Sequence, residues 1–203
     1  MKKYLLVLAM VFALAGNVLA DPIIWIGSTR YDVVGLSGPN GTDYWTMDGP
    51  ANPSAQEISN LVNGGGQLLE VYKQNVGDIG DTGKYASSYE TTFFPPTDPD
   101  GALITWVGSP APYIEVDGVP AYLVVKDGNQ IPSVYIFDLA ELGWNGQDAI
   151  LLQSFWPNGG AISHVSIYDP PPHTAVPEPA TMFLLGSGLI GLARYGRKKF
   201  SKK

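Results

Sequence analysis

The chain contains no cysteine, and histidine occurs only twice, at His164 and His173. Without cysteine there is no disulfide, no thiolate zinc or iron–sulfur site and no cysteine nucleophile. Catalytic transition metals are commonly held by two or three histidines, and only His164 lies outside the proline-rich linker that contains His173, so such a site cannot be built. We interpret His164 as structural, because it lies in an alternating strand, and His173 as part of a proline-rich linker.

Positive charge is scarce away from the two ends of the chain. Residues 21–176 hold four of the 12 lysines and arginines and 18 of the 19 acidic residues, which gives a net charge of −14 against −7 for the whole chain. Binding to a phosphate backbone requires clustered lysine and arginine. The composition therefore argues against nucleic acid as a partner.

Residues 1–20 have the composition of a secretory signal peptide. Lys2 and Lys3 precede an apolar run, and Val18-Leu19-Ala20 supplies small residues at its end. This pattern predicts export, with signal cleavage between Ala20 and Asp21.

The C-terminal end has three parts in a fixed order. Pro177-Glu178-Pro179 is followed by an uncharged apolar run and then by six lysines and arginines within residues 194–203. The apolar run of about 16 residues would form a helix of roughly 24 Å, slightly short for a bilayer core. Basic residues directly after such a run are retained on the cytoplasmic side. We therefore predict a transmembrane helix with its basic tail over residues 180–203.

This order resembles the PEP-CTERM sorting signal of bacteria with an outer membrane. The resemblance implies that the precursor is held transiently in the inner membrane and is cut near Pro177, Glu178 and Pro179 by an exosortase-type protease. It further implies a final location at the cell surface, in the outer membrane or in the extracellular matrix. It indicates where the protein is delivered and implies no biochemical activity.

The region between the two signals is predicted to be all-β. Short apolar runs bounded by glycine, proline, asparagine and aspartate favour an antiparallel β-sandwich, jelly-roll-like, over residues 21–169. A capping-box pattern at Ser54–Glu57 predicts one short helix over residues 54–63. A proline-rich spacer with the Pro-Glu-Pro motif follows over residues 170–179.

Strand alternation also predicts the core and one hairpin. Pro157 and the following Asn158-Gly159-Gly160 are expected to close a hairpin between the last two strands. The central core is expected to include Leu123, Val125, Val134, Ile136, Leu151, Phe155, Val165 and Ile167.

Residues 85–169 bear a second resemblance. The segments VKDGN, YIFDL, WNG, FWP and GAISHVSIY are similar to the β-rich ectodomain of many PEP-CTERM proteins. The resemblance implies a secreted sandwich domain and brings no established activity.

Acidic loops suggest calcium as a ligand. Asp78 and Asp81 lie on one glycine-containing loop, and Asp98 and Asp100 lie on another. Calcium is bound by carboxylate, carbonyl and water oxygens, and a divalent ion would relieve repulsion in so acidic a domain. The alternative for any single loop, which its sequence alone favours, is that these are ordinary turn acids.

Aromatic residues suggest polysaccharide as a ligand. Tryptophan and tyrosine present an apolar face and a polar edge, which suits stacking on sugar rings. Trp45 and Trp144 lie in loop-rich stretches, so they are expected to be the most exposed of the five tryptophans.

Three functions remain open at this point. The first is a non-catalytic surface or matrix protein that binds extracellular polysaccharide or calcium. The second is a secreted glycosidase or polysaccharide lyase with a pair of catalytic carboxyls. The third is a structural subunit that assembles through its sheet edges.

Overall fold

The computed structural model describes the central region of the chain in seven ranges: 21–38, 41–49, 52–62, 66–116, 119–127, 130–156 and 159–171. The predicted signal peptide, the Pro-Glu-Pro motif and the predicted transmembrane helix lie outside these ranges. Within the described ranges, no helix combines the length and the apolar character that crossing a membrane requires.

Ten strands and one α-helix make up the described domain, with a 3-10 turn at Val33–Gly35. In chain order they are β1 (Ile23–Ile26), β2 (Thr29–Asp32), β3 (Tyr44–Met47), α1 (Ala55–Val62), β4 (Leu69–Asn75), β5 (Tyr89–Phe94), β6 (Gly101–Trp106), β7 (Tyr122–Asp127), β8 (Val134–Asp138), β9 (Ile150–Gln153) and β10 (Ile162–Asp169).

The strands form two five-stranded sheets with antiparallel pairing throughout the described residues. Sheet I has the order β2-β1-β9-β6-β5, and sheet II has the order β3-β8-β7-β10-β4. Inner residues of both sheets belong to one core, which includes Ile24 and Leu152 from sheet I and Leu123 and Val165 from sheet II. The predicted antiparallel all-β fold is therefore confirmed, while its jelly-roll-like character stays a prediction.

The short helix is also confirmed, and its first turn is capped as the sequence predicts. The backbone N–H of Ser54 donates to the Glu57 carboxylate at 2.7 Å, and the Glu57 N–H donates to the Ser54 hydroxyl at 3.2 Å. These hydrogen bonds lower the pKa of Glu57. The buried face of α1 centres on Ile58, which covers the outer face of sheet II.

One predicted connection is wrong. The segment after β9 does not close a hairpin with β10, because β9 pairs with β1 and β6 while β10 pairs with β4 and β7. The chain crosses from one sheet to the other here, with positive φ at Ser154 and Trp156. Glycine and asparagine mark a sharp turn, but they do not specify which strands the turn joins.

Of the eight predicted core residues, five lie between the two sheets and three do not. Leu123, Val125, Phe155, Val165 and Ile167 lie between the sheets. Val134 and Ile136 instead point outward beneath α1, and Leu151 lies outside both core clusters. Each strand there is apolar on both sides, so alternation alone does not identify the inner face.

His164 lies on the outer face of sheet II and is 6% exposed. It is aligned with Lys126 on β7 and with Asn75 on β4. Burial, helped by the charges of Lys73 and Lys126, lowers the pKa of His164 to about 4. A base working near neutral pH needs a pKa close to 7, so these surroundings favour the structural role.

This burial predicts a pH dependence of stability. The unfolded chain protonates His164 near pH 6.5 while the native domain does not, so stability falls as pH falls from 6.5 towards 4. Between pH 7 and pH 4.5 the loss due to this group is about 2 to 3 kcal/mol. We expect His164→Gln to lose correspondingly less free energy of unfolding over that interval, measured by urea denaturation.

Buried carboxyls have the opposite effect on stability, but the wild-type and His164→Gln domains both contain them, so their effect cancels in the comparison. Burial raises the pKa of Asp138 and of Asp100, so these groups favour the native state at low pH in both proteins. Parallel stability curves for the wild-type and His164→Gln domains would show that His164 does not carry the predicted dependence.

Candidate functional site

The outer face of sheet I presents a row of side chains that crosses all five strands. Trp25 on β1 is aligned with Arg30 on β2 and with Leu151 on β9. The row continues through Leu103 on β6 to Thr92 on β5. Ile24 and Ile26, which flank Trp25, point inward, so the short sequence Ile-Ile-Trp-Ile directs its one indole outward.

The Trp25 ring is held by a hydrogen bond at the sheet surface. Its Nε1 donates to Oε1 of Gln153 at 3.1 Å. Gln153 is opposite Ile23, two residue pairs along from the Trp25–Leu151 pair and on the same face. Leu151 is only 7% exposed although it faces away from the core, which indicates that neighbouring side chains on this face cover it. The indole is therefore partly buried and fixed in position.

A second aromatic ring lies at the other edge of sheet I. Phe94 on β5 is opposite Gly101 on β6, and its ring atoms approach to 2.3 Å from where a Cβ on Gly101 would be. Any side chain at position 101 would displace this ring, so the glycine lets Phe94 lie against the sheet. From Trp25 to Phe94 the face spans three strand spacings and two residues along the strand, or about 16 Å.

We name these residues the aromatic face: Ile23, Trp25, Phe94, Leu103, Leu151 and Gln153. The apolar members belong to neither core cluster. Within the described ranges the one α-helix packs on sheet II, and the aromatic face has no helix of this kind over it. Two rings with an amide beside them form a surface suited to stacking on flat, polar-edged ligands.

A cleft of about 450 Å³ lies between the segment before β7 and the loop before β9. It is lined by Tyr113, Glu115, Val116, Trp144 and Asn145. The Tyr89 hydroxyl joins the two walls, because it accepts from the Ile114 N–H at 2.9 Å and donates to the Gly146 carbonyl at 2.7 Å. A Cβ on Gly146 would lie 2.0 Å from the Ile114 carbonyl oxygen, so only glycine allows this approach.

The two tryptophans that the sequence favours for exposure are buried, and that expectation is wrong. Trp144 is 2% exposed, packs against Tyr89 and donates from Nε1 to the Asp148 carbonyl. Trp45 is 9% exposed and packs edge-on against Tyr122 beneath α1. Both loops fold back onto the domain, which the local turn residues do not reveal. The sequence analysis missed Trp25, although inward isoleucines on both sides of it indicate an outward indole.

The four candidate calcium ligands remain on two separate loops. Asp78 is exposed and accepts a hydrogen bond from Asn75, and Asp98 is exposed with a φ of 50°. Burial raises the pKa of both Asp81 and Asp100, and the nearby charge of Glu90 adds to the effect at Asp81. Across the described ranges, histidine and acidic side chains form no group of three suited to a metal. Calcium binding stays a prediction.

The comparisons with known proteins concern the C-terminal end. Residues 175–198 match the family model described as the PEP-CTERM protein-sorting motif. The chain carries a PEP-CTERM sorting signal. This motif marks the protein for export, membrane-anchored sorting and processing by an exosortase-type protease. No curated protein and no solved structure matches the chain.

A thermal melt tests the calcium prediction. At ten times a dissociation constant of about 10⁻⁴ to 10⁻³ M, binding to the native state adds about 1.4 kcal/mol, which raises the melting temperature by a few degrees. Sodium chloride at matched ionic strength is the control, because screening alone would stabilise so acidic a domain. A calcium-specific rise should vanish in Asp78→Asn/Asp81→Asn or in Asp98→Asn/Asp100→Asn, and equal rises in both salts would rule out a site.

Proposed function

We propose that this exported PEP-CTERM protein acts at the cell surface or in the extracellular matrix, where its β domain binds neutral polysaccharide without catalysing a reaction. The observation that supports this proposal is the aromatic face. Trp25 and Phe94 lie against the sheet about 16 Å apart, which suits several successive sugar units of one chain. Gln153 supplies an amide oxygen and amide hydrogens beside the Trp25 ring.

Charge favours a neutral glycan over the other partners of an aromatic surface. The region 21–176 carries a net charge of −14, so it repels acidic polysaccharides, nucleic acids and a second copy of itself. At the β2 edge of this face, Arg30 and Asp32 pair with each other at 2.5 Å. A neutral ligand is not repelled by the acidic domain.

The arrangement of carboxyls in the clefts supports a binding role over glycoside hydrolysis. A glycosidase needs a carboxylic acid with a raised pKa facing a second carboxylate. A small cleft of about 110 Å³ contains Asp48 and Glu57, but the Glu57 carboxylate caps α1 and its pKa is lowered. Among the described residues that line the larger cleft, Glu115 supplies the one carboxyl. The glycosidase alternative therefore lacks a favoured pair in these two clefts.

The edges of the sheets give limited support to assembly through strand pairing. The edge of β4 is covered, because Thr82 exchanges backbone hydrogen bonds with Lys73 and the Tyr85 N–H donates to Val71. In sheet I, the edge strand β2 is only four residues long. Strand β5 is followed directly by Pro95 and Pro96, which interrupt an extension of the edge.

The sorting step can be tested by fractionation of the expressing bacterium. Replacing Pro177, Glu178 and Pro179 by alanine should leave an unprocessed precursor in the inner membrane, because it removes the motif that the protease recognises. The wild-type protein should be recovered at or beyond the outer membrane without its basic tail, as judged by mass spectrometry. Normal processing of the triple variant would contradict exosortase-type sorting through this motif.

The binding role can be tested by affinity electrophoresis of the exported protein in gels that contain neutral polysaccharides. Trp25→Ala and Phe94→Ala should each weaken retardation about fivefold, since a stacked ring contributes about 1 kcal/mol. Ile79→Ala is the matched control, because this residue is fully exposed on the loop after β4.

Ionic strength separates neutral from charged ligands in the same experiment. Binding to an uncharged glycan should not change between low salt and about 0.5 M sodium chloride, where exposed charges are screened. Retardation that is equal in the wild type and both aromatic variants would contradict the aromatic face as the binding surface.

A further inference from the structure

We propose that the cleft between Tyr113 and Asn145 is a second binding site, specific for an amino sugar that carries a free ammonium group. The cleft is separate from the aromatic face in its residues. Its volume of about 450 Å³ falls within the range of about 300 to 1,000 Å³ typical of small-molecule sites.

Both walls of the cleft are fixed by hydrogen bonds before any ligand arrives. On the loop side, the Asp138 carboxylate accepts from the Ala140 and Glu141 N–H groups, and the Leu142 carbonyl accepts from Tyr31. On the opposite side, Trp106 donates to the Pro112 carbonyl. The Tyr89 hydroxyl then joins the two walls. Because the site is preformed, little of the free energy of binding is lost in ordering its residues.

The side chains in the cleft have complementary chemistry for an amino sugar. The Tyr113 ring is partly exposed and is held edge-on to Trp106 with centroids 6.0 Å apart, so it offers a fixed face for stacking. Asn145 uses Oδ1 to accept from the Gln147 and Asp148 N–H groups, which leaves its amide hydrogens to donate. Within the described ranges Nδ2 has no protein acceptor.

The carboxylate of Glu115 favours a positively charged ligand. It is exposed at the cleft and is the one charged group among the lining residues that the structure describes. A carboxylate beside a tyrosine face attracts an ammonium group through a charge-assisted hydrogen bond and through the ring quadrupole. The acidic domain around the cleft adds to this attraction and disfavours an anionic ligand.

The test compares two oligosaccharides of equal length by isothermal titration calorimetry on the exported protein. One is an oligomer of glucosamine with free amines, and the other is its N-acetylated form. We expect the free amine to bind at least about tenfold more tightly, because acetylation removes the charge that pairs with Glu115. Equal affinity for the two oligomers would overturn the proposal.

Variants on each side of the cleft locate the site. Glu115→Gln keeps the shape of the side chain and should weaken glucosamine binding about tenfold, while Tyr113→Leu should remove the stacking contribution. Ile79→Ala is the matched control and should leave glucosamine binding unchanged, because this residue is fully exposed on the loop after β4 and lines neither the cleft nor the aromatic face. Unchanged glucosamine binding in Glu115→Gln would contradict this location.

A lysine oligopeptide distinguishes the sugar from its ammonium group. It carries the same charge without a pyranose ring, so we expect it to bind more weakly than the glucosamine oligomer. If the peptide bound equally well, the cleft would recognise charge alone and the assignment to amino sugars would be wrong. Glu115→Gln and Tyr113→Leu alter the cleft and leave the aromatic face intact, so failure of one site leaves the other to be judged by its own variants.

Discussion

Sheet II is apolar on both of its faces, and the rest of the domain depends on how these faces are covered. All six residues of β7 are buried, because Leu123 and Val125 face sheet I while Tyr122 and Val124 face α1. Sheet I covers one face of sheet II, and α1 covers the other. Sheet I has no corresponding helix on its own outer side within the described ranges, and this asymmetry leaves the aromatic face available to a ligand.

The same two-sided burial explains which parts of the fold could be predicted from the sequence. The positions of strands and of α1 follow from local signals such as apolar runs, turn residues and the Ser54–Glu57 capping box. The inner face of β8 does not, because Ile136 and Phe137 are equally apolar and both are fully buried. In β10, a bulge between Ile162 and His164 reverses the alternation, so Ile162 joins the inner core.

Strand partners are non-local, and the sequence carried less information about them. Strands β7 and β8 follow each other in the chain and pair with each other, whereas the segment after Pro157 joins strands of different sheets. The same difference between local and non-local information applies to the candidate site. Trp144 was assigned to a turn, but whether that turn stands away from the domain depends on the distant Tyr89. The sorting motif was identified from sequence because a protease reads it as a local segment.

The position of β10 has a consequence for biogenesis. Among the described strands it comes last in the chain, yet it lies inside sheet II between β7 and β4, so those two strands have no direct contact along their length without it. Sheet I contains only earlier strands and is complete once β9 joins β1 to β6. Sheet II is complete only when Ile162–Asp169 is in place, so a chain that emerges from its N-terminus can form sheet I before sheet II. With no cysteine in the chain, no disulfide holds β4 near β7 beforehand, and this one strand makes the link.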